Sequence, residues 1–424
     1  MSPNPLLDAF ATLLHRRQAR STRRRLTTTP PTSVDFSSND YLSFSTCPAI
    51  RAAFLQELSN KGADFYLGSG GSRLLDGNSS YAESLEKDIA SFHNSPAGLL
   101  FNSGFEANTG LFSCVPQPGD VIIYDEYIHA SVHDGMRLSR AGRRIQFTHN
   151  SISSLRQVLQ TQIDTDALIQ GGKRNIFISV EGVYSMDGDV APLADFVDCV
   201  ETLLPLKNGY IIVDEAHSTG LFGSKGSGLV SDLGLEDRIF ARVHTFGKAL
   251  ACSGDYLINY ARSLIFTTAM TFPSLASIKV MYDFMSQGHT EPLTQALHAL
   301  TQHLHTLLLP LSTDYPTLIR LGLEPPHSPI FPLQTPHPRS LASHCQTRGF
   351  MVRPIVAPTV PKGSERVRIC LHAGNTVEEV EGLVRAVREW VEERASTEEG
   401  GTKKEGNGSR GIGEGEKMVL KSRL

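Results

Sequence analysis

The chain holds a single tryptophan, and its six cysteines form no Cys-x-x-Cys pair and no zinc-like spacing. Neither a disulfide framework nor a metal site is therefore expected, and reduced, mostly buried thiols are the natural reading. No apolar run reaches the roughly 18 residues that a bilayer-spanning helix needs. The first ten residues lack the basic start and apolar stretch of a secretory leader. Strong positive charge is missing as well: the formal net charge is -4. Neither a nucleic acid nor a membrane is therefore expected as a partner. Acidic residues are absent from one long stretch, residues 9–34, which carries Arg16, Arg17, Arg20, Arg23, Arg24 and Arg25 among serines and threonines. That composition suits either a mitochondrial presequence or an amphipathic helix whose arginines meet an anion, and the second reading is preferred.

What is present is ordinary globular material. Hydrophobic residues make up 40% and charged residues 20% of 424, enough for one large domain and a smaller one. Between Asp35 and Tyr260 short apolar runs alternate with helical stretches. Residues 97–101, 121–124, 176–180 and 210–213 suit strands buried on both faces of a largely parallel sheet, and 81–92 has helical spacing. This is an α/β layout with helices on both faces. After about Gln287 the texture changes to a long helix, short strands including 367–371, and a last helix. Thr376 and Glu379 form a capping box ahead of Val377, Val380, Leu383, Val384, Val387 and Val391. The expected divisions are a basic arm at 1–34, a large domain at 35–286, a smaller α+β domain at 287–395, and a disordered Gly/Glu/Lys tail at 396–424.

Five local features carry chemistry. Asp214 ends the apolar run Ile211-Ile212-Val213, which places a carboxylate at the carboxyl edge of the sheet, where α/β folds bind ligands. His217 follows it closely. Asn102-Ser103-Gly104-Phe105-Glu106-Ala107-Asn108 opens a helix after a strand and offers free backbone N–H groups at a positive dipole end. His129 supplies a ring. Lys248, in Thr245-Phe246-Gly247-Lys248, stands in a stretch with no other charge until Asp255, the setting in which a lysine amine loses its proton. Singly, each has a commonplace reading: a solvated lysine, a strand-end cap, a surface histidine. Together they are a carrier lysine, a carboxylate for a pyridine nitrogen, a stacking ring and a phosphate cradle, which are what pyridoxal phosphate asks of a protein.

In this order and at these spacings the residues resemble the α-oxoamine synthases, a family within the fold-type I pyridoxal-phosphate enzymes, over about residues 10 to 395. The stretches Gly68-Ser69-Gly70-Gly71-Ser72-Arg73, Gly182-Val183-Tyr184-Ser185-Met186-Asp187-Gly188-Asp189, Pro358-Thr359-Val360-Pro361-Lys362-Gly363 and Arg366-Val367-Arg368-Ile369-Cys370-Leu371-His372-Ala373-Gly374-Asn375 carry the likeness. It points to the biotin-synthesis branch of the family, in its fungal forms. The resemblance implies a large mixed, mainly parallel sheet domain, a smaller C-terminal α+β domain, and a homodimer. It implies Lys248 as Schiff-base lysine and proton carrier, Asp214 on the pyridinium nitrogen, His217 and Ser185 on the ring oxygen, and His129 stacked on the ring. Gly104 and Phe105 would give backbone N–H groups, Thr245 would meet the phosphate, and Thr268 would reach it across the dimer interface. On the substrate side the likeness implies Arg368 for the amino-acid carboxylate, Asn39 and Thr359 lining the site, and Arg23 for the free carboxylate of a pimeloyl chain.

The implied reaction joins L-alanine to pimeloyl-CoA with release of CoA and carbon dioxide. Open beside it stand a relative using glycine, serine or another acyl-CoA, and an inactive partner subunit; Lys248, Asp214, His129 and His217 together speak against the latter. The final Ser422-Arg423-Leu424 is a close variant of the peroxisomal Ser-Lys-Leu address, so a peroxisomal import receptor is an expected partner, with mitochondrion and cytosol as alternatives.

Overall fold

The computed structural model describes residues 4–20, 23, 26, 28–62, 65–244, 249–251 and 254–405, with only the backbone at 249–251, 254–256 and 398–405. Among the described residues twelve strands form three sheets. β1 (Val34–Asp35) pairs with β10 (Phe350–Met351); β2 (Leu99–Leu100), β3 (Val121–Asp125), β4 (Arg143–Phe147), β5 (Ile176–Glu181), β6 (Gly209–Asp214), β7 (Ala241–Val243) and β8 (Ala249–Ala251) form the main sheet; β9 (Ile330–Gln334), β11 (Arg353–Ile355) and β12 (Arg366–Cys370) form the third.

The main sheet runs β2-β8-β7-β6-β5-β3-β4, parallel from β4 to β7 and antiparallel at β8 and β2. Alternation along its strands fills two cores. Val121, Ile123, Ile176, Ile178, Ile211 and Val213 pack on one face, while Ile122, Phe177 and Ile212 pack on the other. That is the period of two expected where both faces are covered. From β3 the chain steps outward to β4, then returns on the far side of β3 as β5. The order reverses between β3 and β5, so the ligand crevice falls at the carboxyl ends of those strands.

The antiparallel order β11-β12-β9 backs onto helix Val377–Glu405. Val380, Leu383, Val384, Val387 and Val391 from that helix share one core with Phe331, Leu333, Val367 and Ile369. The capping box forms as the sequence predicts: Thr376 N donates to Glu379 Oε2 at 3.0 Å, and Glu379 N donates to Thr376 Oγ1 at 3.2 Å. The lone tryptophan, Trp390, is buried with its indole N–H on Ser340 Oγ at 3.1 Å.

Two expected boundaries move. The helix does not end at 395 but runs to Glu405, and the hydroxyls of Ser396 and Thr397 bond back to Glu392 and Glu393 carbonyls within it. Residue 35 is not a domain edge either. β1 joins the strand at 350–351, Cys370 N donates to Phe36 O at 2.8 Å, and Phe36, Tyr41, Leu42 and Phe44 lie in the C-terminal core. At the N-terminus, Pro5–Ala19 is a helix capped by Asn4 Oδ1, and no residue of it is buried. Among the described residues no helix is long and apolar enough to cross a membrane.

Candidate active site

Three strands of the main sheet end in buried acids: Asp125 on β3, Glu181 on β5 and Asp214 on β6. Glu181 and Asp214 stand side by side in register. Both line a cavity of about 830 Å³ that also takes in Asn39, Tyr41, Gly104, Phe105, Asn108, His129 and His217.

Asp214 is oriented by two donors. Asn108 Nδ2 reaches Oδ2 at 2.7 Å and the Ala216 N–H reaches Oδ1 at 3.0 Å. The same Asn108 amide donates to Ser131 Oγ at 3.0 Å, and that hydroxyl lies 2.7 Å from His129 Nδ1. His129 is the N-cap of helix Ala130–Leu138, accepting the Ser131 N–H at 3.2 Å, so helix initiation fixes its ring. Asn108 Oδ1 is buried and has no partner among the described residues. Gly104 and Phe105 open helix Gly104–Cys114; the cap Ser103 takes the Glu106 N–H, and the two N–H groups before it have no intrahelical acceptor. Glu181 behaves unlike Asp214: burial and the neighbouring Asp214 carboxylate push its carboxyl well above the usual range, which keeps it neutral.

A second set of residues enters from the C-terminal core. Arg368, on β12, donates from Nε to Ser185 O at 2.7 Å and from Nη2 to Asn39 Oδ1 at 3.0 Å and Tyr41 Oη at 3.2 Å. Tyr41 Oη in turn sits 2.8 Å from His217 Nδ1. Arg368 is 7% exposed, and its described partners are all neutral. A buried guanidinium without a carboxylate is costly, so the site is built to receive an anion there.

The loop at 184–189 presents Ser185 to this cluster. Tyr184 N donates to Asp189 O and Gly188 N to Tyr184 O, closing it into a compact turn. Gly188 has φ +72, and a Cβ there would stand 2.4 Å from Ile330 O, so both conformation and space demand glycine. Arg366 clamps Asp187, and His149 with Asn150 clamps Asp189.

The cavity therefore gathers Asn39, Gly104, Phe105, His129, Asp214 and His217, and hydrogen bonds tie Ser185 and Arg368 to it. Three predicted residues lie elsewhere in the single chain. Thr268 borders a depression of about 700 Å³ with Asn102, whose Nδ2 donates to the Thr268 carbonyl at 2.8 Å. Arg23 and Thr359 share a third cavity, about 900 Å³, with Arg16, Arg17, Arg20 and Arg339. Thr245 and Lys248 lie outside the described residues, in the segment after β7, whose Val243 lines the central cavity. The sequence assigns no role to Tyr41 or His149, and it marks Asn108 and Glu181 only as ends of the helix-opening stretch 102–108 and the polar loop 181–189. For Glu181 the signal was available: like Asp214, it is an acid closing an apolar strand.

The donor set fits pyridoxal phosphate. A buried, doubly hydrogen-bonded carboxylate suits a pyridinium nitrogen, the open helix N-terminus suits a phosphate, and His129 and His217 share the cavity between them.

The comparisons agree with that fit. The family model for aminotransferase class I and II matches residues 31–387. The 8-amino-7-oxononanoate synthase of Emericella nidulans is 56% identical, over 92% of this chain and 97% of the relative. Among solved structures, Sphingomonas wittichii serine palmitoyltransferase is 25% identical with a TM-score of 0.78, covering 91% of this chain and 98% of that one. A serine palmitoyltransferase variant from S. paucimobilis with a bound PLP–myriocin aldimine is similar at 23% identity and a TM-score of 0.78, over 91% of this chain and 98% of that one. Pyridoxal phosphate is the cofactor of this group of enzymes, and the chain belongs to the aminotransferase class I and II family and, within it, to the α-oxoamine synthases.

Proposed function

We propose that the chain condenses L-alanine with pimeloyl-CoA, releasing CoA and carbon dioxide and forming 8-amino-7-oxononanoate for biotin synthesis. The observation that carries this reading is the 56% identity to an 8-amino-7-oxononanoate synthase across nearly the whole of both chains. Bound pyridoxal phosphate supplies an electron sink for charge developing at the α-carbon of alanine. In this reading Asp214 holds a proton on the ring nitrogen, with Asn108 and the Ala216 N–H keeping the carboxylate aligned. Lys248 carries the cofactor and moves the α-proton. His217 and Ser185 would bond the ring oxygen, and Gly104 and Phe105 would offer backbone N–H groups to the cofactor. Arg368 takes the alanine carboxylate, answering the missing counter-charge at its guanidinium, and so orients the bond that loses carbon dioxide. Arg23, beside Thr359 in the arginine-lined cavity, receives the free carboxylate of the pimeloyl chain.

The direct test incubates purified holoenzyme with pimeloyl-CoA and alanine, glycine or serine in turn. CoA release with alanine, abolished in Lys248→Ala, is expected; turnover with glycine or serine but not alanine would refute the substrate assignment.

The working unit in this reading is a homodimer in which Thr268 serves the partner's cofactor. Its destination is the peroxisome, addressed by Ser422-Arg423-Leu424, which lie outside the described residues. A fluorescent protein fused at the N-terminus should be punctate with residues 422–424 and diffuse without them, and a diffuse signal from both forms rejects this destination.

A further inference from the structure

His149 sits where the carboxyl edge of the main sheet changes direction, and it has no part in the mechanism so far. Its Nδ1 lies 2.8 Å from Asp125 Oδ1, at the end of β3, and its Nε2 lies 2.7 Å from Asp189 Oδ2, in the loop after β5. Asn150 repeats both links, N to Asp125 Oδ2 at 2.8 Å and Nδ2 to Asp189 Oδ2 at 2.6 Å. Tyr127 stacks on the imidazole at a centroid distance of 4.4 Å, and Tyr184 meets it edge-on at 4.4 Å.

The groups facing His149 are thus Asp125, Glu126 (whose Oε1 takes the His149 N–H), Tyr127, Tyr184 and Asp189. Asp125 is fully buried, so its charge needs a partner. Burial alone would lower the imidazole pKa, but hydrogen bonds to Asp125 and Asp189 raise it to about 10. An ordinary structural ion pair would explain one carboxylate. Here a single imidazolium uses both N–H groups on two elements that the chain reversal sets on either side of the crevice.

We propose that His149 is a positioning residue for amino-acid binding: it pins Asp189, and through the 184–189 turn it sets the Ser185 carbonyl that aims Arg368 at the substrate carboxylate. The path is short. Asp189 O closes the turn onto Tyr184 N, and Ser185 O takes Arg368 Nε at 2.7 Å. Without His149 the Asp189 carboxylate is left to the Asn150 amide, and the turn, still fixed by the Arg366 clamp at Asp187 and the Ser328 hydroxyl on Gly188 O, can shift at its Asp189 end.

The inference rests on the alanine reading above, and its test separates the two. In His149→Gln holoenzyme the KM for alanine should rise about tenfold while kcat and the KM for pimeloyl-CoA stay within about threefold. Asp189→Asn should do the same, and the double variant should be no worse than Asp189→Asn alone, because the His149–Asp189 link is already lost there. A readout independent of turnover is thermal stability against pH. The folded pKa of His149 is raised above its unfolded value near 6.5, so its stabilisation is complete below that value. It should fade as pH climbs through about 10. Wild type should show this alkaline decline, and His149→Gln should lack it. Unchanged alanine KM in both variants, or additive losses that strike both substrates equally, would overturn the positioning role. If wild type fails to use alanine, the substrate reading falls, whereas the pH arm still reports on the pair.

Discussion

At the scale of single residues, the two acids that end β5 and β6 are a matched pair with opposite assignments. Asp214 accepts hydrogen bonds from Asn108 and the Ala216 N–H, one at each carboxylate oxygen. Glu181, buried beside it, has its carboxyl pushed well above the usual range by desolvation and by the Asp214 charge. Isosteric amides should separate them. Asp214→Asn removes the carboxylate assigned to hold the ring proton and should lower kcat/KM at least about 100-fold, near 2.7 kcal/mol of barrier. Glu181→Gln keeps the shape and an acceptor for the His129 N–H, replacing a neutral group by a neutral group, and should stay within about threefold. Steady-state kinetics on the two proteins decide it: equal losses would mean that Glu181 works as an anion.

At the scale of elements, the sequence was legible where a local period decides. β3, β5 and β6 are continuous apolar runs, and a run buried on both sides needs no partner information to be recognised. The helices at 80–92 and 377–405 announce themselves by a cap and an apolar face. What local pattern does not encode is pairing. Nothing in Val34-Asp35-Phe36 says that it will lie beside residues 350–351, because β pairing depends on distant chain. Hence the domain edge expected at 35 dissolved. The run at 97–101 shortened to Leu99–Leu100, since only those residues meet β8. The tail moved for another reason. Residues 396–405 lack apolar residues, but a helix already seeded by a buried face propagates at little cost, residue by residue. Within the site, Asp214, His129, His217 and Gly104 were legible because each follows a strand end or opens a helix. Asn108, Tyr41 and His149 were not, because their roles exist only as contacts between elements far apart in the chain.

At the scale of the whole molecule, the single chain leaves part of its chemistry away from the central cavity. Thr268 and Asn102 border an open depression, and the chain segments at 66–75 and 266 expose large apolar side chains: Tyr66, Leu67 and Leu75 are 87%, 79% and 75% exposed, and Phe266 is 70% exposed. The two segments are joined, since Ala269 N donates to Gly71 O at 2.9 Å and Asn102 binds the Thr268 carbonyl. Four large apolar side chains at this exposure on linked segments mark a surface meant to be covered. A twofold axis would let one patch cover its own copy and bring Thr268 of one protomer toward the cofactor of the other. Light scattering on the purified holoenzyme should therefore give twice the 46.3 kDa of the chain. Leu75→Asp and Phe266→Asp, each placing a charge in the patch, should yield monomers that have lost activity. Thr268→Ala should leave the dimer intact and weaken only retention of the cofactor on dilution. A wild-type monomer with full turnover would sink the shared site, and with it the reason for so much exposed apolar surface at 66–75 and 266.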